Sequence, residues 1–224
     1  MKTKLITLLL LSLILKSWAQ GKVDYLQNFD KKTFHWGYYL GFNQTSFEHK
    51  VDGEYGYSGP EENPMPSTSS SFGFNVGLVG DYRLTQYLNL RLEPGLFTSG
   101  KKSFTPVPGT DNNIEWNSTY FRLPLLLKVS TKRLKNLRPY FIGGVSYDYN
   151  FKNTNDALEG SNYAIHKNQF MAEMGVGIDF YLHYFKCSPS IRGIYSLTDE
   201  LDNWGGAPYD SLKTRGVFFM LTFE

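Results

Sequence analysis

The sequence predicts an all-β fold: an eight-stranded antiparallel up-and-down transmembrane β-barrel of the outer-membrane type. Three observations carry that prediction. The N-terminus reads as an export leader, several segments alternate apolar and polar residues with a period of two, and short and long connections between those segments also alternate.

The leader comes first. MKTK is a basic start, LITLLLLSLIL is an apolar run of 11 residues, and KSWAQ supplies the small residues of a cleavage site. Eleven residues are too few for a spanning helix, and Lys16 ends the run. Cleavage is expected after Ala19, with Ser17 and Ala19 as the small pair. The expected layout is a signal peptide at 1–19, a periplasmic N-terminal segment at 20–34 and a barrel at 35–224. The only cysteine, Cys187, allows no internal disulfide and is no lipoprotein acylation site. Cleavage also removes Lys2, Lys4 and Lys16, leaving 20 basic against 21 acidic residues, a net charge of −1. The basic precursor is therefore no argument for a nucleic-acid partner. With 16 Tyr, 17 Phe and 21 Gly and no helical span in the mature chain, the composition suits an outer-membrane barrel, with a periplasmic β-sandwich as the soluble competitor.

Alternation locates the strands. In 71–84, Phe72, Phe74, Val76 and Leu78 share one face, while Gly73, Asn75, Gly77, Asp81 and Arg83 share the other. In 87–97, Leu88, Leu90, Leu92 and Leu96 oppose Asn89, Arg91, Glu93 and Gly95. In 168–182, Phe170, Ala172, Met174, Val176, Ile178, Phe180 and Leu182 alternate with Gln169, Glu173, Gly175, Gly177, Asp179 and Tyr181. A helix would mix charged and apolar groups on one face. Five weaker segments, 35–47, 114–129, 138–151, 185–197 and 215–224, complete eight strands, an even number as such barrels require.

The connections near 84–86, 130–136 and 183–184 are short. Those near 47–70, 100–113, 152–167 and 198–214 are long, polar and rich in Gly, Pro, Ser and Asn. Outer-membrane barrels have short periplasmic turns and long outer loops, which puts both termini in the periplasm. The last strand places Val217, Phe219, Leu221 and Phe223 on one face. An amphipathic strand ending in an aromatic residue resembles the signal read by barrel-insertion machinery, although Glu224 follows the aromatic here.

The stretch RLPLLLKVSTKRLKNLRPY, 122–140, is not a helix, because Pro124 and Pro139 would break one. It reads as two strands about a turn. Phe121, Leu123, Leu125, Leu127 and Val129 face lipid; Arg122, Leu126 and Lys128 face the lumen. Pro124 removes a ladder donor, and a local bulge is expected there. Lys132, Arg133, Lys135 and Arg138 then form a basic periplasmic turn that either meets lipid phosphates and solvent or docks an acidic periplasmic partner.

The lumen-facing charges are Asp81, Glu93, Asp148, Glu173 and Asp179 against Arg83, Arg91, Arg122, Lys128, Lys186 and Arg192. Five acids nearly balance six bases. An eight-stranded barrel is just wide enough for its own side chains, so an ion-pair network closing the lumen is expected rather than a pore. Catalysis has little support: His35, His49, His166 and His183 lie in no GxSxG or HExxH motif, and His166 near Ser161 is the best-placed pair for a lipid-modifying site. The loop acids Glu54, Glu61, Glu62, Asp199, Glu200, Asp202 and Asp210 fit no EF-hand spacing. No catalytic residue, metal site, cofactor or small-molecule substrate is expected.

The stretches STYFRLPLLLKVSTKRLKNLRPYFIGGVSYDYN (118–150), GFNVGLVGDYRLTQYLNLRLEPGL (73–96) and GVGIDFYLHYFKCSPSIRGIYSL (175–197) resemble the PorT family of Bacteroidota outer-membrane barrels. RPYFIGG and FKCSPSIR carry the most specific part of that resemblance, with Cys187 standing where the family usually has a second aromatic. The resemblance implies a non-enzymatic accessory component of the type IX secretion system, which exports proteins with C-terminal sorting domains and in some species supports gliding motility. It implies other secretion-system subunits and outer-membrane lipid as partners. The alternatives are a small structural or adhesive barrel whose loops bind an external ligand, and a barrel enzyme acting on lipid.

Overall fold

The computed structural model describes residues 24–51, 71–104, 114–151, 164–165, 167–199, 201–203 and 209–224. A 3-10 turn, Phe29–Lys31, precedes eleven strands. They are β1 (Phe34–Val51), β2 (Ser71–Arg83), β3 (Leu88–Leu92), β4 (Gly95–Phe104), β5 (Ile114–Ser130), β6 (Leu137–Asn150), β7 (Ala164–Ile165), β8 (Asn168–Tyr181), β9 (Lys186–Ser196), β10 (Leu201–Asn203) and β11 (Tyr209–Phe223). β1 pairs antiparallel with both β2 and β11, so the main sheet closes on itself. β3 and β4 run end to end between β2 and β5, which makes the closed wall eight staves. Each stave pairs with its neighbours in sequence. Closure matters in lipid, where no water can satisfy an open sheet edge. The small β7–β10 ribbon joins two of the long connections.

The staves fall where alternation places them, but some run further at the loop end. β1 continues to Val51, the third stave to Phe104, and β11 begins at Tyr209. Register explains this. Backbone pairing continues through Glu48↔Lys213 and Lys50↔Ser211, where outward residues no longer need to be apolar. The alternation that marks a lipid-facing strand lapses there, while the hydrogen-bond ladder does not.

The bulge expected at Pro124 is absent. Its strand keeps one register against β6 from Tyr120↔Asn150 to Ser130↔Tyr140. It also keeps one register past the β3/β4 junction, from Leu92↔Leu125 to Gly95↔Arg122. Glu93 N–H still donates to the Pro124 carbonyl at 3.2 Å, whereas Pro124 has no N–H to return. The Glu93 carbonyl is instead approached by the Tyr39 hydroxyl, at 3.4 Å. The proline interrupts the ladder and a lumenal tyrosine covers the gap. Gly77 and Gly95 make room for that ring, since a β-carbon at either would overlap it.

The outward face carries Trp36, Phe42, Phe72, Leu78, Phe141, Val176, Ile191 and Phe219, all well exposed. The inward face carries most of the buried polar and charged groups. At the turn end, Thr85 Oγ1 accepts the Leu88 N–H at 3.1 Å, and Lys135 takes a left-handed conformation (φ 58°) that closes the β5–β6 turn.

Candidate functional site

Among the described residues, the lumen is filled by one long chain of ion pairs and a second, smaller group. Every member comes from alternation: inward-facing positions of different staves meet in a barrel just wide enough for its own side chains. Arg122 on β5 lies 3.6 Å from Asp148 on β6 and 2.8 Å from Glu173 on β8. Glu173 also meets Arg192 of β9 at 3.0 Å. Arg192 reaches across to Glu93 with two hydrogen bonds, at 2.6 and 3.0 Å. Glu93 lies 3.4 Å from Arg91, which also binds Asp81 of β2 at 2.8 Å. Arg91 pairs in addition with Glu224, and Glu224 meets Lys186 at 2.5 Å. Lys128 and Asp179 form a second group at 2.8 Å, supported by a 2.6 Å hydrogen bond from Ser188.

These contacts brace opposite walls. Arg192 and Glu93 belong to staves that are not neighbours, so their pair spans the lumen. Forked guanidinium contacts suit this role, because geometry as well as charge is specified. Buried ions are costly to desolvate, and the arrangement stands only because each has an opposite partner. Next to the network, Arg122 lies over the Phe218 ring at 4.6 Å, where the charged layer meets an apolar cluster that includes Phe97, Tyr120, Met171, Ile194 and Phe218.

Ten of the eleven lumenal residues named from sequence are thus buried and ion-paired: Asp81, Arg91, Glu93, Arg122, Lys128, Asp148, Glu173, Asp179, Lys186 and Arg192. Arg83 is a correction. It closes β2 at the rim, half-buried, and donates to the backbone carbonyls of Asp30 and Lys31 instead of to a lumenal acid. Glu224 was missed. The alternation held the signal: with Val217, Phe219, Leu221 and Phe223 outward, the next residue must point inward.

The sequence left two readings of the basic turn, contact with lipid phosphates and solvent or docking of an acidic periplasmic partner, for all four of its residues. In the structure the N-terminal segment occupies two of them. Asp30 lies 3.4 Å from both Arg133 and Arg138 and accepts a 2.7 Å hydrogen bond from the Tyr181 hydroxyl. Arg133 also donates to the carbonyls of Tyr25 and Leu26 and lies 3.7 Å over the Tyr181 ring. Tyr25 N–H donates to Asn136 at 2.9 Å, and Phe29 stacks on His35 with ring centroids 4.1 Å apart. Residues 24–32 are therefore strapped to the turn end. Lys132 and Lys135 remain exposed. Nothing short of tertiary structure pairs Asp30 with a turn a hundred residues away.

His166, Ser161, the signal peptide and the loop acids Glu54, Glu61, Glu62 and Glu200 lie outside the described residues. Among the described residues no cluster of His, Cys, Asp and Glu could hold a metal, and no helix is long and apolar enough to cross a membrane.

A closed wall of eight staves, apolar outside and charged inside, defines a membrane-spanning β-barrel. The chain belongs to the family described as "outer membrane protein beta-barrel domain", whose model matches residues 18–202, and its place is accordingly the outer membrane. Among solved structures it is similar to OprG from Pseudomonas aeruginosa, at 16% identity and a TM-score of 0.50, covering 84% of this chain and 94% of that one. It is also similar to Neisserial surface protein A, at 12% identity and a TM-score of 0.43, covering 85% and 98%. A third is Ail of Yersinia pestis, at 11% identity and a TM-score of 0.41, covering 86% and 99%. No curated protein matches the chain in sequence.

Proposed function

We propose that this barrel is a non-enzymatic accessory component of the type IX secretion system, with both termini in the periplasm. The observation that carries the reading is the filled lumen. Arg192, Glu93, Glu173 and Arg122 lock across it, so the barrel is no passage for a polypeptide and acts beside a larger pore. The resemblance of 118–150 and 175–197 to the PorT family supplies the identity of the machine. The short turns at the end where residues 24–32 and Glu224 lie support the periplasmic orientation. The inward carboxylates are engaged by cations, which supports a scaffold rather than a catalyst.

Deleting the gene in the source organism tests the role. Sorting-domain proteins should accumulate inside the cell, and export should return with a plasmid copy; normal export in the deletion strain would sink the proposal. A membrane pull-down should recover other secretion-system subunits. Protease added to intact cells should cut within 52–70 and spare 131–136; the reverse pattern would invert the orientation.

A second reading, a structural or adhesive barrel whose loops bind an external ligand, is favoured by strand length. β1 has 18 residues and β5 has 17, against the 9–11 or so that cross a bilayer. These staves project the loop end beyond the membrane. Excising 52–70 should abolish a phenotype under this reading and leave secretion intact under the first.

A further inference from the structure

Above the basic turn, the outward face of the barrel is not evenly convex. A groove of about 870 Å³ crosses β5, β6, β8, β9 and β11 just above the turn end. Its side walls are Phe141, Ile178, Ile191 and Phe219, and it is almost wholly apolar. Pro139 and Pro189 line it with short rings where their neighbours carry long side chains. It opens toward the turn at Thr131, one residue before Lys132.

The charge at that rim is uneven. Arg133 and Arg138 are both committed to Asp30. Lys132, next in the chain to Thr131 at the groove's edge, is exposed, whereas Lys135 lines a separate hollow with Asp24, Asp30 and Arg133. The turn between β8 and β9, at the same end of the barrel, carries exposed Tyr184, an amphipathic side chain of the kind found at membrane–water interfaces. Apolar groove, cationic mouth and interfacial tyrosine together match one ligand chemistry.

We propose that this groove is a binding site for one anionic glycerophospholipid, with its acyl chains against Phe141, Ile178, Ile191 and Phe219 and its phosphate at Lys132. The choice of a glycerophospholipid over lipid A rests on the periplasmic orientation of the turn end proposed above, since the turns then meet the inner leaflet. The secretion role does not enter. The strap formed by residues 24–32 sharpens the selectivity. Arg133 and Arg138 are held on its Asp30 and on backbone carbonyls, so their donors are spent there and exposed Lys132 is left as the phosphate partner.

The test uses the purified full-length barrel in detergent and native mass spectrometry. Phosphatidylglycerol and phosphatidylethanolamine of identical acyl chains are titrated separately, and lipid A is the third arm. Phosphatidylglycerol should bind at least fivefold tighter than phosphatidylethanolamine. Lys132→Glu should remove that preference, since one basic residue near an anionic lipid surface contributes about fivefold. Ile178→Trp, which fills the groove, should weaken both phospholipids together. Lys213→Glu, on β11 toward the loop end, should change nothing. Heat-modified gel mobility reports whether each variant is still a barrel. Equal binding of the two phospholipids, equal loss in Lys213→Glu, or tighter binding of lipid A would each overturn the site. So would a Lys132→Glu variant that loses an acidic protein partner while keeping its phosphatidylglycerol preference. Because secretion is not read in this assay, its failure leaves the secretion role to stand or fall on the deletion strain.

Discussion

Two layers of the lumen are built from opposite chemistry. Moving away from the turns, β3 and β4 present Arg91, Glu93 and then Phe97; β5 presents Lys128, Arg122 and then Tyr120. β8 presents Asp179, Glu173 and then Met171, and β9 presents Lys186, Arg192 and then Ile194. On β3/β4, β8 and β9 the charges come first and the apolar residue follows; on β5 the buried Leu126, clustered with Tyr140 and Ile142, lies between Lys128 and Arg122. Both layers fill the same narrow bore. The charged layer does so with directional contacts that span the barrel, and the apolar layer with packing that any side chain of similar volume can replace. The charged layer therefore specifies which walls face each other, and the apolar layer closes the space beyond it.

That contrast is breakable. The largest effect is expected from Arg192→Met, which keeps bulk but strands Glu93 and Glu173 without their shared cation. Denaturant unfolding in detergent should show a loss of roughly 3–5 kcal/mol; a loss below 1 kcal/mol would mean that the network is ornamental. Glu224→Gln removes one anion from between Arg91 and Lys186 and should cost roughly 1.5–3 kcal/mol in the same assay. Met171→Leu, in the apolar layer, should cost less than about 1.5 kcal/mol. Should it cost as much as Arg192→Met, the two layers are equally specific and the distinction fails. Asp30→Asn acts outside both layers. Its carboxyl is a third exposed, so the discounted effect is at most about 1 kcal/mol. It should appear as faster amide exchange across 25–32, with global stability and the buried network unmoved.

The filled lumen also bears on conductance. In a planar bilayer the intact protein should show no stable large conductance. A variant with Glu93, Arg122 and Arg192 all changed to Ala should conduct if it still folds. Stable conductance in the unaltered protein would refute the closed bore.

The wall and the interior were legible in the sequence to different depths. The eight staves were readable because lipid imposes alternation on every stretch that touches it. The lumenal charges were readable because whatever alternates with a lipid-facing residue must face inward. Glu224 was readable by the same rule, because it follows the outward Phe223. Strand ends at the loop side were not readable, because beyond the bilayer the pairing continues without the apolar period that marks it.

What the sequence by itself determined is therefore which residues face in. What only the tertiary structure decided is which of them meet. Closure brings Arg192 opposite Glu93, lays Asp30 across Arg133 and Arg138, and lets Tyr39 cover the donor missing at Pro124. The physical reason is range. Alternation is a local property of one strand, whereas the partner of an inward charge is set by the register of all eight staves at once, and a one-residue slip anywhere would turn a stave's charges to lipid.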